Sequence, residues 1–187
     1  MGKLIYEMNV SLDGYVEDPD GDIGFATVDE ELHTWFNDQA RGVSASLYGT
    51  RMWRLMSDFW PHAPDDPEAP PHILEFAEIW ARTPKIVFSS SLGSVEHGAR
   101  LARGDVAEAL AALRAEFDGD LDVGGPTLAA SFIRRGLVDE YRLVVHPVVL
   151  GGGKPFFPPL ETALRLELHE TRAFGSGAVY LGYRALR

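Results

Sequence analysis

The stretch Asp120-Leu121-Asp122-Val123-Gly124-Gly125-Pro126-Thr127-Leu128 decides the fold. Its alternating apolar residues predict a short strand, and the glycines followed by proline predict a tight turn into a helix. The free N–H groups and the dipole of a first helical turn attract anions. The stretch therefore predicts a strand, a glycine turn and a helix N-terminus able to hold a phosphate. The same glycines would also serve simply to turn the chain, so this stretch alone does not distinguish a phosphate site from a structural turn.

Composition sets the broad class of the protein. The chain has 187 residues, of which 45% are hydrophobic and 24% charged, and this is typical of one globular domain spanning residues 1–187. Its formal net charge is −11 without a basic stripe, which argues against nucleic acid and anionic membranes as partners. It has no cysteine, so disulfides and thiolate metal sites are excluded, and we expect no metal. Without a signal-peptide pattern or a long apolar run, we expect a cytoplasmic protein.

Two further strands are predicted to end in polar turns. Residues 45–49 form an apolar run that ends in glycine, and the next helix opens with Thr50-Arg51. Residues 85–88 form another strand, followed by Ser89-Ser90-Ser91. Strand ends of a parallel sheet lie along one edge, where such folds bind ligands. An arginine, several hydroxyls and helix N-termini would then face one phosphorylated ligand. The alternatives without a ligand are that Arg51 is a solvated surface residue and that the serines at 89–91 only form a turn.

Strands and helices alternate along most of the chain, which predicts an α/β fold with a mostly parallel sheet. Near the C-terminus, residues 164–174 and 178–186 read as two strands joined by Gly175-Ser176-Gly177, a hairpin signal. A longer strand is predicted at residues 139–150. The sheet is therefore expected to finish in an antiparallel hairpin.

The first strand, at residues 3–10, carries Glu7 and Asn9 on the same face as Ile5. A carboxylate on a covered strand must be paired or shifted toward its neutral form. Glu7 is therefore either a residue at a wet edge, or paired with an arginine, or a functional carboxylate. The turn that follows contributes Asp13 as a second candidate.

The order and spacing of five short motifs resemble a known family. The chain looks like the dihydrofolate-reductase-like fold, and specifically the reductase domain of the riboflavin-pathway deaminase-reductase and its stand-alone relatives. The resemblance covers nearly the whole chain. The motifs are Ser11-Leu12-Asp13-Gly14, Leu47-Tyr48-Gly49-Thr50-Arg51, Val87-Phe88-Ser89-Ser90-Ser91, Val123-Gly124-Gly125-Pro126-Thr127-Leu128, and residues 136–151.

This resemblance implies a three-layer α/β sandwich, an NADPH cofactor, a small-molecule substrate and a homodimer built through the last strands. Thr50, Arg51 and the serines at 89–91 would hold the adenosine ribose and its 2′-phosphate, with Gly49 at the turn. Residues 124–128 would receive the pyrophosphate. The first strand and the Leu12-Asp13-Gly14 turn would flank the nicotinamide and the substrate. Arginine suits a phosphate better than lysine does, which agrees with this assignment.

The implied activity is NADPH-dependent reduction of a small heterocyclic or carbonyl substrate, similar to 5-amino-6-(5-phosphoribosylamino)uracil reductase. Glu7 and Asp13 are the candidate proton donors. The candidate substrate contacts are Asn9, Gly14, Tyr15 and Trp35, although a tryptophan on a helix is typically part of the core.

The sequence departs from both well-known activities of this fold. Riboflavin-pathway reductases carry a lysine after the Asp-Gly and an Asp-x-His-x-Leu-Arg run for the substrate phosphate, whereas here Tyr15 follows Gly14 and that run is absent. Folate reductases carry a carboxylate on the first helix near the position of Leu32, where Glu31 is only adjacent. The alternatives are therefore a folate or pterin reductase and a non-catalytic nucleotide-binding module on the same fold.

Overall fold

The computed structural model of the protein describes residues 2–186. Its strands, in chain order, are β1 (Leu4–Ser11), β2 (Tyr15–Glu17), β3 (Val43–Gly49), β4 (Lys85–Phe88), β5 (Arg100–Ala102), β6 (Asp120–Gly124), β7 (Glu140–His146), β8 (Lys154–Pro155), β9 (Leu166–Ala173) and β10 (Val179–Ala185). Its α-helices are α1 (Glu30–Arg41), α2 (Thr50–Phe59), α3 (Pro71–Arg82), α4 (Val106–Glu116) and α5 (Pro126–Ile133). A 3₁₀ turn, Ala63–Asp65, lies between α2 and α3.

Eight strands form one sheet in the order β5-β4-β3-β6-β1-β7-β10-β9. From β5 to β7 in this order, each strand is parallel to the next one. β10 is antiparallel to both β7 and β9. The expectation of a mostly parallel α/β sheet with an antiparallel C-terminal hairpin is therefore confirmed. β4, β3 and β6 are adjacent, so their carboxyl ends lie side by side.

Alternation along the strands separates the two faces of the sheet. On β1, Leu4, Tyr6 and Val10 pack into the main core, together with leucines and phenylalanines of α4 and α5. The residues between them, including Ile5 and Glu7, face the opposite side, which α1, α2 and α3 cover. The molecule is thus a three-layer sandwich, with the sheet between two layers of helices.

Two expectations about the strands need correction. The strand predicted at residues 139–150 ends at His146, because Pro147 has no N–H to continue the ladder. The sequence also does not predict a small ribbon in which Tyr15 and Glu17 of β2 pair with Pro155 and Lys154 of β8. Strands of two or three residues are too short for a recognisable period.

Within residues 2–186, no helix combines the length and apolar character needed to cross a bilayer. The same part of the chain contains no group of three or more His, Asp or Glu side chains that could hold a metal ion.

Candidate functional site

A cavity of about 1080 Å³ lies between the sheet and helices α1, α2 and α3. We call its polar edge at the carboxyl ends of β3, β4 and β6 the rim; it consists of residues 49–51, 89–90 and 124–128. We call its inner polar surface, formed by Glu7, Ser46, Asp122 and Arg142, the floor. The rim and the floor line the same cavity, so a ligand bound at one can reach the other.

The rim brings together turns that are far apart in sequence. Thr50 Oγ1, at the start of α2, donates a hydrogen bond to Ser89 Oγ at 2.9 Å, after β4. Ser89 Oγ also accepts the backbone N–H of Ser91 and of Leu92, which holds the serine turn in place. The sequence-based expectation that these strand ends meet at one sheet edge is therefore confirmed.

The two helices that begin at the rim have no side-chain cap at the N-terminus, a feature that they share with α3. α1 and α4 begin at Asp29 and Asp105, whose carboxylates accept N–H groups of the first turn. α2 and α5 begin at Gly49 and Gly125, which supply no side-chain cap. Because the first N–H groups of a helix lack partners within the helix, both rim helices leave donors for an anion.

Gly125 turns the chain into α5 with a φ of +93°, a conformation that favours glycine. A Cβ atom built there would lie 3.1 Å from Cβ of Met52 on α2. At Gly124 a Cβ would lie 2.9 Å from Cδ1 of Tyr48. Both glycines are thus required by the close approach of β6 to β3 and α2.

Arg51, expected to bind a 2′-phosphate, has protein partners of its own. Its Nη1 lies 2.6 Å from Oε2 of Glu17 on β2, and its Nη2 donates to the backbone oxygen of Gly21 at 2.7 Å. The guanidinium is nevertheless more than half exposed. A phosphate at this position would therefore share Arg51 with Glu17 or displace it.

Glu7 is the central carboxylate of the floor. Its Oε2 is enclosed and accepts no hydrogen bond from the described residues, and the nearest cation, Arg142 Nη1, lies 3.6 Å away. Burial raises the pKa of Glu7 to about 7, against the opposing effect of Arg142. Of the alternatives left open by the sequence, proximity to an arginine is found, and Glu7 also lines the cavity; its role as a functional carboxylate stays a prediction.

Asp122, on β6, is a second floor carboxylate. It pairs in register with Ile5 of β1 and Ser46 of β3. Burial raises its pKa to about 6, although a hydrogen bond with Ser46 opposes the change, and its Oδ1 has no partner within residues 2–186. The signal that singled out Glu7, an acid on a covered strand, would also have found Asp122.

Arg142 is the floor cation, and sequence reasoning does not identify it. It lies opposite Glu7 in the β1–β7 register. Its Nε donates to Oε1 of buried Glu140 at 2.7 Å, and its Nη1 donates to Oε1 of Gln39 on α1 at 3.0 Å. Although burial raises the pKa of Glu140, hydrogen bonds from Lys3 and Arg142 hold it below its ordinary value. Arg142 is thus already held by an ionised carboxylate.

Asp13 lies outside the cavity lining, although it was one of the two candidate proton donors. Its carboxylate accepts the backbone N–H groups of Leu150 and Gly151. A hydrogen bond with Ser11, supported by these backbone groups, keeps the pKa of Asp13 below its usual range. Asp13 is therefore an ionised anchor between two loops, which is unsuited to proton donation at neutral pH.

Gly14, Tyr15, Ser91 and Trp35 also lie outside the lining. Gly14 and Tyr15 belong to the turn and ribbon beside β8, where the Gly14 carbonyl accepts the N–H of Phe156. Trp35 points into a separate core cluster, with its ring 4.5 Å from that of Tyr180 between centroids. A core position is what the sequence favoured for a tryptophan on this helix, and the contact of Trp35 with Tyr180 of β10 agrees with it. Asn9, by contrast, does line the cavity and binds His146 Nε2 at 2.8 Å.

The wall opposite the floor is apolar. It is formed by side chains of α1, α2 and α3: Phe36, Leu55, Met56, Phe59, Trp60, Phe76 and Ile79. His33 is part of this wall, and burial together with the neighbouring His72 lowers its pKa, so it is neutral near pH 7. Leu55 and Phe59 remain strongly exposed at the surface of α2. The cavity thus offers polar groups on the sheet side and aromatic surface on the helix side.

Comparison with known proteins gives a family match over most of the chain. Residues 2–180 match the model of the RibD C-terminal domain. Among curated proteins, the uncharacterised protein YyaP of Bacillus subtilis is 31% identical over 185 residues, which cover 97% of this chain and 94% of YyaP.

Solved structures share the fold. A Shewanella sp. PV-4 protein named for riboflavin biosynthesis has a TM-score of 0.80 at 23% identity, with 99% of each chain covered. The Thermotoga maritima deaminase/5-amino-6-(5-phosphoribosylamino)uracil reductase has a TM-score of 0.69 at 15% identity, covering 99% of this chain and 57% of that one. Dihydrofolate reductase of Enterococcus faecalis, solved with NADP(H), has a TM-score of 0.62 at 16% identity, covering 100% and 98%. The dihydrofolate-reductase-like fold expected from the sequence is therefore confirmed.

Proposed function

The chain belongs to the RibD C-terminal domain family, and from this premise we propose that it is an NADPH-dependent reductase of a small heterocyclic or carbonyl compound. One observation carries the proposal. A single cavity joins a rim suited to a dinucleotide to a floor that contains a carboxyl group with a pKa of about 7. A group that titrates near neutral pH is suited to give a proton to a substrate.

The rim residues fit the chemistry of NADPH. The uncapped N-termini of α2 and α5 would take the negatively charged pyrophosphate, since their first N–H groups have no side-chain acceptor. Thr50 and Ser89, joined by a hydrogen bond, would present hydroxyls to ribose oxygens. Arg51 would bind the 2′-phosphate in exchange for Glu17. When bound, the cofactor supplies the hydride.

The chain's own residues then act on the substrate. Glu7, whose side chain lines the cavity, would hold a proton on its carboxyl group and would donate it to the reduced product. Arg142 would keep Glu7 in place through the nearby guanidinium, which is itself fixed by Glu140 and Gln39. The apolar wall would exclude water from the reaction.

The first test is a fluorescence titration with NADPH and NADH, followed by loss of NADPH absorbance with candidate carbonyl and heterocyclic substrates. Arg51→Ala should weaken NADPH binding by about tenfold, the size expected for one charge-assisted hydrogen bond, and leave NADH almost unchanged. Arg54→Ala is the matched control, since it removes the same charge from the same helix at an exposed position outside the cavity lining. Equal losses for both cofactors would contradict the role of Arg51, and absence of NADPH binding would favour the non-catalytic module.

The assembly proposal, a homodimer through the last strands, rests on the family resemblance and on one structural feature. β9 is one of the two edge strands of the sheet, and Leu168 on it is half exposed. Light scattering coupled to size-exclusion chromatography would measure the mass, and a Leu168→Glu variant should shift a dimer toward monomer. A monomeric wild-type protein would contradict this proposal.

A further inference from the structure

The floor of the cavity is richer in acceptors than in donors. Glu7 and Asp122 lie on the same face of neighbouring strands, because Asp122 pairs with Ile5 and Glu7 is two residues further along β1. Each has one enclosed oxygen without a hydrogen-bond partner among residues 2–186. A buried carboxyl group with an unpaired oxygen is costly, so a ligand that brings N–H groups to these cavity-lining carboxyl groups would offset that cost.

The cations that line the cavity are already engaged or lie away from the floor. Arg142 is the guanidinium of the floor, and it is bonded to ionised Glu140 and to Gln39. Arg51 belongs to the rim, where it is paired with Glu17, and Lys154 lies opposite Glu17 in the β2–β8 ribbon. A phosphate placed on the floor would therefore meet the carboxylate of Asp122 and no unengaged cation from the described residues, which is electrostatically unfavourable.

The apolar wall makes the second demand on the ligand. Phe36, Phe76 and Ile79 line the cavity from α1 and α3, and Trp60 packs with Phe76 at a ring separation of 4.3 Å. Aromatic and aliphatic walls with a few polar groups are typical of sites for flat organic molecules. Such a wall stabilises a bound apolar substituent by burying it. Its apolar surface offers no compensating charge to a phosphorylated sugar.

We propose that Asp122, supported by Ser46, recognises an N–H donor edge of the substrate, and that the substrate is a phosphate-free nitrogen heterocycle with an apolar substituent. The proposal rests on the proposed reductase function and narrows it. Glu7 keeps the role of proton donor, whereas Asp122 selects the ring that reaches it. A phosphoribosyl compound of the kind named for the Thermotoga maritima reductase would be a poor ligand.

The test measures binding and does not need turnover. The probes share a phenyl ring and differ in the head group: benzamidine offers N–H donors and positive charge, whereas benzoate and phenyl phosphate offer acceptors and negative charge. Benzamidine binding is followed by ligand-observed NMR on the full chain, with and without NADPH. Benzoate and phenyl phosphate are scored by how well they displace benzamidine, so that phosphate binding at the rim is not counted. We expect the inhibition constants of benzoate and phenyl phosphate against benzamidine binding to be at least tenfold larger than the dissociation constant of benzamidine.

Asp122→Asn should weaken benzamidine binding by at least tenfold, because it replaces a charged acceptor by a neutral group of the same shape. Glu108→Gln, an exposed change of the same kind on α4 and outside the cavity lining, should leave binding unchanged. Circular dichroism of each variant confirms folding. Unchanged benzamidine binding in Asp122→Asn, or equal displacement by phenyl phosphate, would overturn the inference.

The outcomes separate the two proposals. A protein that binds benzamidine through Asp122 but never oxidises NADPH contradicts the reductase function and leaves the recognition chemistry standing. A protein that oxidises NADPH but binds benzamidine independently of Asp122 contradicts only the inference about the substrate.

Discussion

The rim and the floor of the cavity are built on opposite principles. The rim consists of consecutive residues at strand ends, where short hydroxyl side chains and two uncapped helix N-termini line the cavity and Gly124 and Gly125 bring the chain close to α2. The floor consists of single side chains from strands β1, β3, β6 and β7, each separated from the next by tens of residues. Arg51, Ser90 and Thr127 of the rim are exposed and Gly124, Gly125 and Leu128 are buried, whereas the floor carries enclosed carboxyl oxygens.

This difference shows how one fold can keep a cofactor while changing its substrate. Backbone donors at a helix N-terminus persist through most side-chain substitutions, since every residue except proline supplies an N–H. Floor chemistry depends on individual side chains, so a single substitution changes charge and shape. Each prediction below tests whether the rim and the floor are independent in this way.

The largest expected effect is on the floor. Glu7→Gln should lower turnover by about 10²- to 10⁴-fold, the usual contribution of a positioned general acid, with NADPH affinity unchanged. In the wild-type protein, turnover should fall as the pH rises above about 7, because the protonated form of Glu7 is the donor. Initial rates across pH and a fluorescence titration would measure both quantities.

Asp13→Asn is the matched control for Glu7→Gln. Asp13 anchors Leu150 and Gly151 outside the cavity lining, so its substitution should lower stability and leave turnover within about tenfold. An equal loss of turnover in a folded Asp13→Asn protein would mean that Asp13 is part of the catalytic site. It would contradict the proposal that the floor, and not this loop, supplies the proton.

The next effect is on stability and its pH dependence. The raised pKa of Asp122 means that its stabilising contribution is fully present below about pH 4 and is lost as the pH rises through about 6. Asp122→Asn removes this loss. It should therefore stabilise the protein at about pH 8 by up to about 3 kcal/mol, and have much less effect near pH 4. Urea unfolding at the two pH values measures the free energy of unfolding of both proteins. A variant less stable than wild type at pH 8 would show that the buried charge of Asp122 does not destabilise the folded protein.

A smaller effect is expected at the rim. Gly125→Ala should weaken NADPH binding by about tenfold, because a Cβ would press on Met52 in a conformation that L residues rarely adopt. Gly136→Ala is the control, since Gly136 has a φ of +65° but open space around its Cβ position. Both variants should lose about 1 kcal/mol of folding stability, and only Gly125→Ala should lose affinity. Equal affinity in both would remove the rim from the cofactor site.

The smallest effect concerns the boundary between ribbon and rim. Glu17→Gln frees Arg51 from its ion pair, and exposed pairs contribute only about 0.2–1 kcal/mol. NADPH should therefore bind about two- to fivefold more tightly, with NADH unaffected. Parallel titrations at low and high salt would show the gain, and a weaker NADPH complex would mean that Glu17 helps to position Arg51.

Local patterns in the sequence determined the α/β class, the C-terminal hairpin and the polar turns of the rim. The motif at 124–128, the Thr50-Arg51 turn and the serines from position 89 are each read from consecutive residues, because turn and cap chemistry is local. Adjacency of β4, β3 and β6 then brought these turns together.

Only the tertiary structure decided the floor. The sequence identified Glu7 but not its relation to Asp122 and Arg142, since sheet order and register determine which side chains from distant strands meet. The sequence also predicted Asp13 and Trp35 as site residues. In the structure, Asp13 binds the backbone of a neighbouring loop and Trp35 packs into the core. Turn chemistry is encoded by neighbours along the chain, whereas a buried carboxylate acquires its pKa and its role from neighbours in space.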